Sequence, residues 1–367
     1  MIIGIDASNI NQGGGVTHLT QIINNLNFKR FKKSKIIIWG NKKVLNEIKN
    51  TKEIKKIRIA SKYKNIFFRI IWQIFFLKNE LKKLKCTKAL IPGGIFFFKR
   101  IPTTIIMQNV LPFDDFSIKK YSIFLKFKFF CQKILFIYSI KRASKVIFIS
   151  NTSKKEILKK INTKKINFCV IPHGVIQDKL SKRNFVFKKK IKLLCVSKIE
   201  FYKNQLIILK ALKILLDQGF DMELKLVGSN FKPALEEVKK KINELNLKKN
   251  VSIKNEINFN KIKKEYINSD IHISPSMCES FGITVIESGN YSLPSICSNI
   301  EIFKEIANGN VFFFNPFSAI NLANTIKRVI EDNYTRKNKI KKFHDFVIKN
   351  YSWKKVANQT FNFIDKK

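Results

Sequence analysis

Short apolar runs alternate with segments of helical periodicity along most of the chain. The apolar runs of the first half are 2–6, 36–40, 89–94, 104–107, 145–150 and 169–171. Those of the second half are 191–197, 223–228, 251–253, 271–273 and 295–297. Between them, apolar residues recur with the spacing of an amphipathic helix, for example over 204–216 and 234–245. Strands that alternate with helices predict parallel sheets and an α/β fold.

The pattern is interrupted once, near the middle of the chain. The turn Pro172-His173-Gly174 is followed by a polar segment without periodicity, 178–184, which indicates an interdomain linker. We therefore predict an N-terminal domain over 1–175, a linker over 176–190 and a C-terminal domain over 191–350. Both domains are expected to be doubly wound and Rossmann-like, and to face each other across a cleft. Ligands of such sheets bind at the carboxyl ends of the strands, here in that cleft.

The charge changes the picture more than the hydrophobic content does. The chain has 71 Lys and Arg against 26 Asp and Glu, a formal net charge of +45. Abundant Lys, Ile, Asn and Phe are typical of AT-rich coding, which is one explanation. The other two explanations are an anionic partner, either an acidic membrane surface or a nucleic acid. No RRM, KH or helix-turn-helix signature is present, so we expect no nucleic-acid partner.

Cysteine usage and the N-terminus bear on the compartment. None of the six cysteines forms a CxxC pair, so we expect free thiols in a reducing compartment. The first residues predict a strand and not a signal peptide, because no basic region precedes the apolar stretch. No apolar run reaches 18 residues. The expected location is the cytoplasm, with peripheral attachment to the inner face of the cytoplasmic membrane as an option that the charge leaves open.

The most informative stretch is 274–287. Glu279 comes just after a strand, Glu287 lies about two turns into the following helix, and Phe281-Gly282-Ile283-Thr284 begins that helix. A helix N-terminus suits a diphosphate, and Gly282 lets the phosphate approach the backbone. A carboxylate before the loop can accept hydrogen bonds from sugar hydroxyls, and one within the helix can bind a ribose diol. The simpler alternative is that Glu279 is an N-terminal helix charge and Glu287 is solvated.

This stretch resembles the donor-binding signature of the retaining glycosyltransferase family 4, which has the GT-B fold of two Rossmann-like domains. The agreement runs through SPSMCESFGITVIESGNYSLPSICSN. The resemblance implies a nucleotide-sugar donor bound by Phe281, Gly282, Ile283, Thr284 and Glu287, with Glu279 at the reacting sugar. It extends over nearly the whole chain and is weak from 45 to 88.

Two lysines resemble the basic pair with which the family binds the donor diphosphate. Lys198 and Lys203 stand five residues apart after a C-domain strand. Family members usually have Gly-Arg where this chain has Ser197-Lys198, so a point charge replaces a planar fork. The resemblance implies catalytic roles for Lys198, Lys203 and Glu279. On their own, two lysines in so basic a chain would mean little.

Three further segments match weaker features of the family. Gly13-Gly14-Gly15 resembles the N-terminal glycine loop, which implies donor contacts by Gly14 and Gly15. Where many relatives have a histidine near the reacting sugar, this chain has Gln108 or Asn109, whose amides could bind a sugar hydroxyl. A turn before Pro112 is the alternative. Tyr351-Ser352-Trp353 resembles the start of the last helix, so 351–367 is expected to complete the N-terminal domain. His173 is interpreted as part of a structural turn.

The resemblance implies transfer of a hexose with retention at the anomeric carbon, in cell-surface polysaccharide or lipopolysaccharide assembly. We expect no metal and no cofactor, since Lys198, Lys203 and the helix N-terminus would meet the diphosphate charge. The acceptor would be a glycan or a lipid-linked saccharide. The basic, aromatic stretches 61–78 and 121–142 predict either a membrane-facing surface or ordinary buried helices.

Three other functions remain open at this level. A nucleotide-sugar epimerase of the same fold would also bind the donor. A basic nucleic-acid-binding protein would explain the charge, and a catalytically silent scaffold would need neither glutamate. The pair Glu279 and Glu287 disfavours the scaffold.

Overall fold

A computed structural model gives the fold and describes all residues except 12, 32–33, 61–62, 64, 162–165, 178–186, 188, 256–258 and 367. The chain divides into two compact units. Unit 1 contains residues 1–113, 121–174 and 352–367, and unit 2 contains residues 114–120 and 175–351. Most of the predicted linker, 178–186 and 188, lies outside the described residues.

The described strands and helices alternate along most of the chain. The strands are β1 Ile2–Asp6, β2 Lys35–Gly40, β3 Ile54–Arg58, β4 Lys88–Ile91, β5 Thr103–Met107, β6 Lys145–Phe148, β7 Phe168–Val170, β8 Ile191–Val196, β9 Met222–Val227, β10 Val251–Lys254, β11 Ile271–Ser274, β12 Ser295–Ser298 and β13 Phe312–Phe314. The helices are α1 Gly14–Asn24, α2 Lys42–Glu47, α3 Ile66–Ile71, α4 Leu77–Lys83, α5 Ile123–Arg142, α6 Asn151–Leu158, α7 Gln205–Asp217, α8 Lys232–Glu244, α9 Phe259–Ile267, α10 Ile283–Asn290, α11 Glu301–Ala307, α12 Ala319–Glu331, α13 Asn333–Asn350 and α14 Trp353–Asp365.

Each unit is built on one parallel sheet. Seven strands of unit 1 have the order β3-β2-β1-β4-β5-β6-β7, and six strands of unit 2 have the order β10-β9-β8-β11-β12-β13. The pairing of β1 with both β2 and β4 is parallel, as is that of β8 with both β9 and β11. The order reverses beside β1 and beside β8, which is the doubly wound topology. The predicted α/β fold class is confirmed.

The strands are apolar because helices cover both faces of each sheet. Ile5, Leu90 and Ile105 of unit 1 are less than 1% exposed. In unit 2 the helices α7 and α12 contribute Leu212 and Ile326 to the same core as the strands. Strands buried on both sides carry continuous apolar runs and not alternating ones, which is why the runs were visible in the sequence.

Some boundaries follow local chemistry that the sequence displays. The helix expected to start near Ser153 is α6, and Ser150 caps it by accepting the Ser153 backbone N–H at 2.9 Å. The strands β3 and β13 were not predicted. In β3, Lys55, Lys56 and Arg58 interrupt the apolar residues, and β13 has only three residues. β3 therefore lacks the apolar run on which the prediction relied, whereas β13 is an apolar run that the sequence displays and the prediction missed.

Residues 114–120 join unit 2, although the chain around them belongs to unit 1. Within unit 2, the ring of Phe116 packs edge-on against Phe317, with centroids 5.8 Å apart. This contact links positions 201 residues apart in the chain, so no local pattern reveals it.

Candidate active site

The candidate site of unit 2 begins where its strand order reverses. The strands β8 and β11 are neighbours there, and the connections that follow them leave in opposite directions along the sheet. The crevice outside the carboxyl ends of two such strands is where open α/β sheets bind ligands. Lys198 and Lys203 follow β8, and Glu279 and Gly282 follow β11. The topology therefore places both sequence motifs at one edge of one sheet.

The loop after β11 turns sharply into α10 at Gly282. This residue has φ +94°, which side chains of L residues rarely allow, and an added Cβ would lie 2.7 Å from Cε1 of Phe303. Phe281 is buried and packs edge-on against Tyr351, at 5.7 Å between centroids. Ile283 and Thr284 then form the first turn of α10, whose leading amide groups and dipole favour an anion.

Lys203 and Glu279 form an ion pair at this edge of the sheet, between Nζ of the lysine and Oε1 of the glutamate. Their side chains are only 13% and 15% exposed, so the pair is well shielded from water. Ser276 supports the carboxylate, because its Oγ donates to Oε1 of Glu279 at 2.9 Å. Burial alone would lower the pKa of Lys203, but the Glu279 carboxylate raises that pKa above its ordinary value. The lysine is therefore held as a cation at neutral pH.

Lys198 has a different partner and a more open position. Its Nζ lies 2.6 Å from Oε2 of Glu200, and its side chain is 36% exposed against 7% for Glu200. Gln205 donates to the Ser197 Oγ and to the Lys198 carbonyl, both at 2.9 Å, which fixes the backbone of this turn. Gly228 lies against it, since an added Cβ there would meet the Ser197 carbonyl oxygen at 2.2 Å.

Glu287 lies within α10 and receives a hydrogen bond from a distant helix. The phenol of Tyr266, in α9, donates to Oε2 of Glu287 at 2.9 Å. The Tyr266 ring is fully buried and stacks on Tyr291, with centroids 5.2 Å apart and planes at 21°. Burial raises the pKa of Glu287 to about 7, although the Tyr266 bond opposes the rise. The carboxylate is thus half-buried, oriented and close to its titration point at neutral pH.

Most of the residues that support the charged groups of unit 2 carry no signal in the sequence. Ser276 stands three residues before Glu279, and its role could have been suspected from that spacing. Tyr266 and Glu200 could not, because only the packing of α9 and the turn after β8 bring them to their partners. These residues hold each charged group of the edge in one orientation before any ligand arrives.

The corresponding edge of unit 1 lies beside β1 and β4. Gly13 precedes α1 with φ +66°, and Gly14 and Gly15 form the first turn of that helix. Gly14 is exposed and an added Cβ would contact nothing within 4 Å, so the backbone conformation requires glycine at position 13 and not at 14. Asp6, at the end of β1, is buried and accepts from Nε2 of Gln73 at 2.6 Å. Burial raises the pKa of Asp6.

Gln108 and Asn109 follow β5 in unit 1, and both bond to backbone. Nε2 of Gln108 donates to the Pro92 carbonyl at 3.0 Å, and Oδ1 of Asn109 accepts from the Leu111 amide at 3.1 Å. The Asn109 contact forms the turn before Pro112 that the sequence analysis offered as an alternative. The roles in sugar binding that the resemblance implied for these two residues stay predictions.

His173 lies in a buried cluster of unit 1. Its Nδ1 is 2.7 Å from Nδ1 of His18, and the ring of Trp353 packs edge-on against both imidazoles. Burial lowers the pKa of His18 to about 3 and also lowers the pKa of His173, so the two rings remain neutral and one can donate to the other. An added Cβ on Gly174 would meet the Trp353 amide nitrogen at 2.4 Å. These contacts agree with a structural turn at His173.

Two absences among the described residues bear on the kind of site. No group of three or more His, Cys, Asp or Glu side chains is placed there to hold a metal ion. Across the same part of the chain, no helix combines the length and the apolar character that crossing a bilayer requires.

Comparisons with known proteins agree with this geometry. Residues 176–345 match the family described as "Glycosyl transferases group 1". The O-antigen chain mannosyltransferase RfbU of Salmonella typhimurium is 27% identical over 250 residues, which cover 66% of this chain and 65% of RfbU. A sucrose-phosphate synthase from Thermosynechococcus elongatus superposes with a TM-score of 0.77 at 15% identity, over 99% of this chain and 98% of the other. The Anabaena protein HepE, solved with UDP and glucose, gives 0.73 at 15% identity over 99% and 98%. At these identities the structures show the shared fold, which is GT-B.

Proposed function

We propose that the chain, whose residues 176–345 match the glycosyl transferases group 1, is a retaining glycosyltransferase. It moves a hexose from a nucleotide-sugar donor to a glycan or a lipid-linked saccharide. The observation that carries the proposal is that Lys198, Lys203 and the N-terminus of α10, the helix that bears Glu287, follow neighbouring strands at one sheet edge. Together these groups match a diphosphate flanked by a sugar and a ribose.

Each group has a defined part in the proposed reaction. The bond between the anomeric carbon and the phosphate oxygen breaks while the acceptor hydroxyl attacks the same face of the sugar. The acceptor proton passes to the leaving phosphate oxygen, so no separate protein base is needed. Lys203, Lys198 and the first amides of α10 stabilise the charge that develops on the diphosphate. Because these groups are cationic or polar donors already, the proposal requires no metal ion.

The pair between Lys203 and Glu279 prepares the site for that charge. Without donor, Glu279 keeps Lys203 ionised and oriented. When the diphosphate binds, the lysine gains a second anionic partner, and Glu279 has a further oxygen for the hydroxyls of the transferred sugar. Such preorganisation places the cost of orienting a charged side chain in folding and not in catalysis.

The relatives support the substrate class without identifying the sugar. RfbU is named a mannosyltransferase of O-antigen chains, and HepE was solved with UDP and glucose. A polysaccharide or lipopolysaccharide intermediate as acceptor would place the reaction at the inner face of the cytoplasmic membrane. The epimerase alternative is not favoured, because the matching family is one of glycosyl transferases.

A panel of nucleotide sugars tests the proposal. A donor that binds only the folded protein must raise the melting temperature. At a hundredfold excess over Kd it adds ~2.7 kcal/mol to the free energy of unfolding. We expect stabilisation by one UDP-, GDP- or dTDP-sugar, and about half of that stabilisation in Glu287→Gln at the same donor concentration. Incubation of that donor with candidate acceptors should give an α-linked product from an α-linked donor by NMR. An inverted linkage, or epimerised donor without acceptor, would refute the proposed reaction.

A further inference from the structure

The helix α5 exposes an apolar stripe on the surface of unit 1. Six side chains are between 39% and 86% exposed: Ile123, Phe124, Phe127, Phe130, Ile134 and Tyr138. At 100° per residue they occupy an arc of roughly 120° on the helix. The opposite face holds α5 on its unit, through Phe136 stacked near Phe113, at 6.2 Å between centroids, and Ser139, whose Oγ accepts the Phe96 amide at 3.2 Å.

The charges of α5 frame this stripe and are of one sign. The helix contains Lys126, Lys128, Lys133, Lys141 and Arg142, and it has no acidic residue. By the same helical geometry, Lys126 and Lys133 lie on one side of the stripe and Lys128 lies on the other. Single exposed apolar residues are ordinary on protein surfaces, but a contiguous row of this size indicates a binding surface.

We propose that α5 docks unit 1 on an anionic lipid bilayer. The stripe enters the boundary between headgroups and acyl chains, and the lysines beside it contact anionic headgroups while their methylene stems cover apolar surface. The helix lies in the plane of the interface, and the face that carries Phe136 stays packed on unit 1. This inference concerns attachment and holds whichever sugar the site of unit 2 binds.

The charges favour a bilayer over other occupants. In a self-complementary dimer the stripe of one copy would bring five cations against five cations of the other, with no carboxylate on either helix to pair with them. A nucleic-acid duplex would satisfy the cations, but its backbone presents hydrated phosphates and no apolar interior to the phenylalanine side chains. An anionic bilayer satisfies both, because its surface potential attracts lysines and its interior accepts phenylalanine.

The first test is cosedimentation of the purified full chain with vesicles. We expect binding to phosphatidylcholine vesicles that contain phosphatidylglycerol, weak binding to phosphatidylcholine alone, and weakening between ~0.05 and ~0.3 M salt. Equal binding to neutral and anionic vesicles would overturn the proposal. So would the absence of binding to both.

Matched variants locate the surface. Phe127→Ser with Phe130→Ser should lower the partition coefficient at least tenfold, whereas the control Ile320→Ser with Tyr334→Ser should stay within twofold. The control residues belong to unit 2 and are similarly exposed, at 64% and 82%. Lys126→Gln with Lys128→Gln should likewise lose more binding than Lys248→Gln with Lys249→Gln. Equal losses in the first comparison would assign binding to exposed apolar residues in general, and equal losses in the second would assign it to global charge; either result would contradict attachment through α5.

A reporter separates insertion from misfolding and from dimerisation. All three native tryptophans are buried, so Phe127→Trp adds an exposed fluorophore. Its emission should shift to the blue on anionic vesicles and be quenched by brominated lipid. Melting curves with a bound nucleotide sugar should be the same for the α5 variants and the wild type. In the opposite outcome, the emission of Phe127→Trp is unchanged by vesicles and shifts to shorter wavelength as the protein concentration rises. That result would assign the stripe to a second copy and refute the proposal.

Discussion

The two sheets have the same strand order up to their last strands, yet their carboxyl edges have opposite chemistry. In unit 2, Lys203 pairs with Glu279 and Lys198 pairs with Glu200 beside the N-terminus of α10. In unit 1, the corresponding polar groups bond among themselves or to backbone, as in His18 with His173 and Gln108 with Pro92. The doubly wound topology determines where a ligand can bind. The side chains at that edge determine whether it can bind a diphosphate.

The largest effect should come from the cation at the centre of the unit 2 edge. Lys203→Ala removes charge stabilisation that is strongest in the transition state, so kcat should fall by ~10²–10³-fold in a glycosyl-transfer assay. The control is Lys213→Ala, whose partner Asp217 is on the surface, and it should leave kcat unchanged. If folded Lys203→Ala protein retained activity within about threefold, the unit 2 edge would not be the diphosphate site.

The next effect concerns the carboxylate in α10. Glu287→Gln should raise the donor KM by roughly tenfold, a loss of ~1.4 kcal/mol, because an amide cannot accept from both ribose hydroxyls. For the wild type, the donor KM should fall as pH rises through 7, where the carboxylate forms, and the variant should lack this dependence. A pH-dependent donor KM that persists in the variant would assign the titration to another group.

Glu287→Gln should weaken donor binding but gain stability relative to the wild type as pH rises. The pKa of Glu287 is raised from 4.5 to about 7, so between these pH values the folded protein keeps a proton that the unfolded chain releases. The free energy of unfolding of the wild type therefore falls as pH rises through this window. Glutamine cannot ionise. Denaturation experiments should therefore show that the free energy of unfolding of the variant increases relative to that of the wild type from pH ~5 to ~8. A constant difference would contradict the raised pKa.

A smaller effect should come from the phenol that supports Glu287. Tyr266→Phe keeps the ring stacked on Tyr291 but removes a hydrogen bond that lowers the pKa of Glu287. The donor KM should rise about threefold, consistent with a bond of ~0.5–1.5 kcal/mol, and the pH midpoint of the KM profile should move upward. Tyr351→Phe is the matched control, since its phenol donates to the Ile306 carbonyl at 3.0 Å. It should leave the midpoint unchanged.

The smallest effect on the donor should come from unit 1. Gln108→Ala removes a contact to the Pro92 carbonyl, so the donor KM should remain within about twofold of the wild type. The acceptor KM, measured at saturating donor, is the quantity in which a sugar contact by Gln108 would appear. A tenfold rise in the donor KM would contradict the contrast between the two units, because the sheet edges of both would then bind the donor.

Much of the fold could be predicted because its main signals are local. The central strands β1, β8 and β11 are largely buried and mostly apolar, and α6 begins at a serine cap. The edge strand β3 was missed for the converse reason, since basic residues interrupt its apolar positions. The site motif was visible because the loop and helix that bear Glu279, Gly282 and Glu287 are contiguous in the chain.

The sequence by itself determined the alternation of strands and helices, the glycine that begins α10 and the charged residue types at the edge of unit 2. These features depend on backbone conformation and on burial patterns that repeat within a few residues. Only the tertiary structure decided that Lys203 pairs with Glu279, that Tyr266 orients Glu287 and that α5 shows its phenylalanines to solvent. Those facts depend on which surfaces meet when distant segments pack, and an aromatic residue has the same letter whether it faces a core or water.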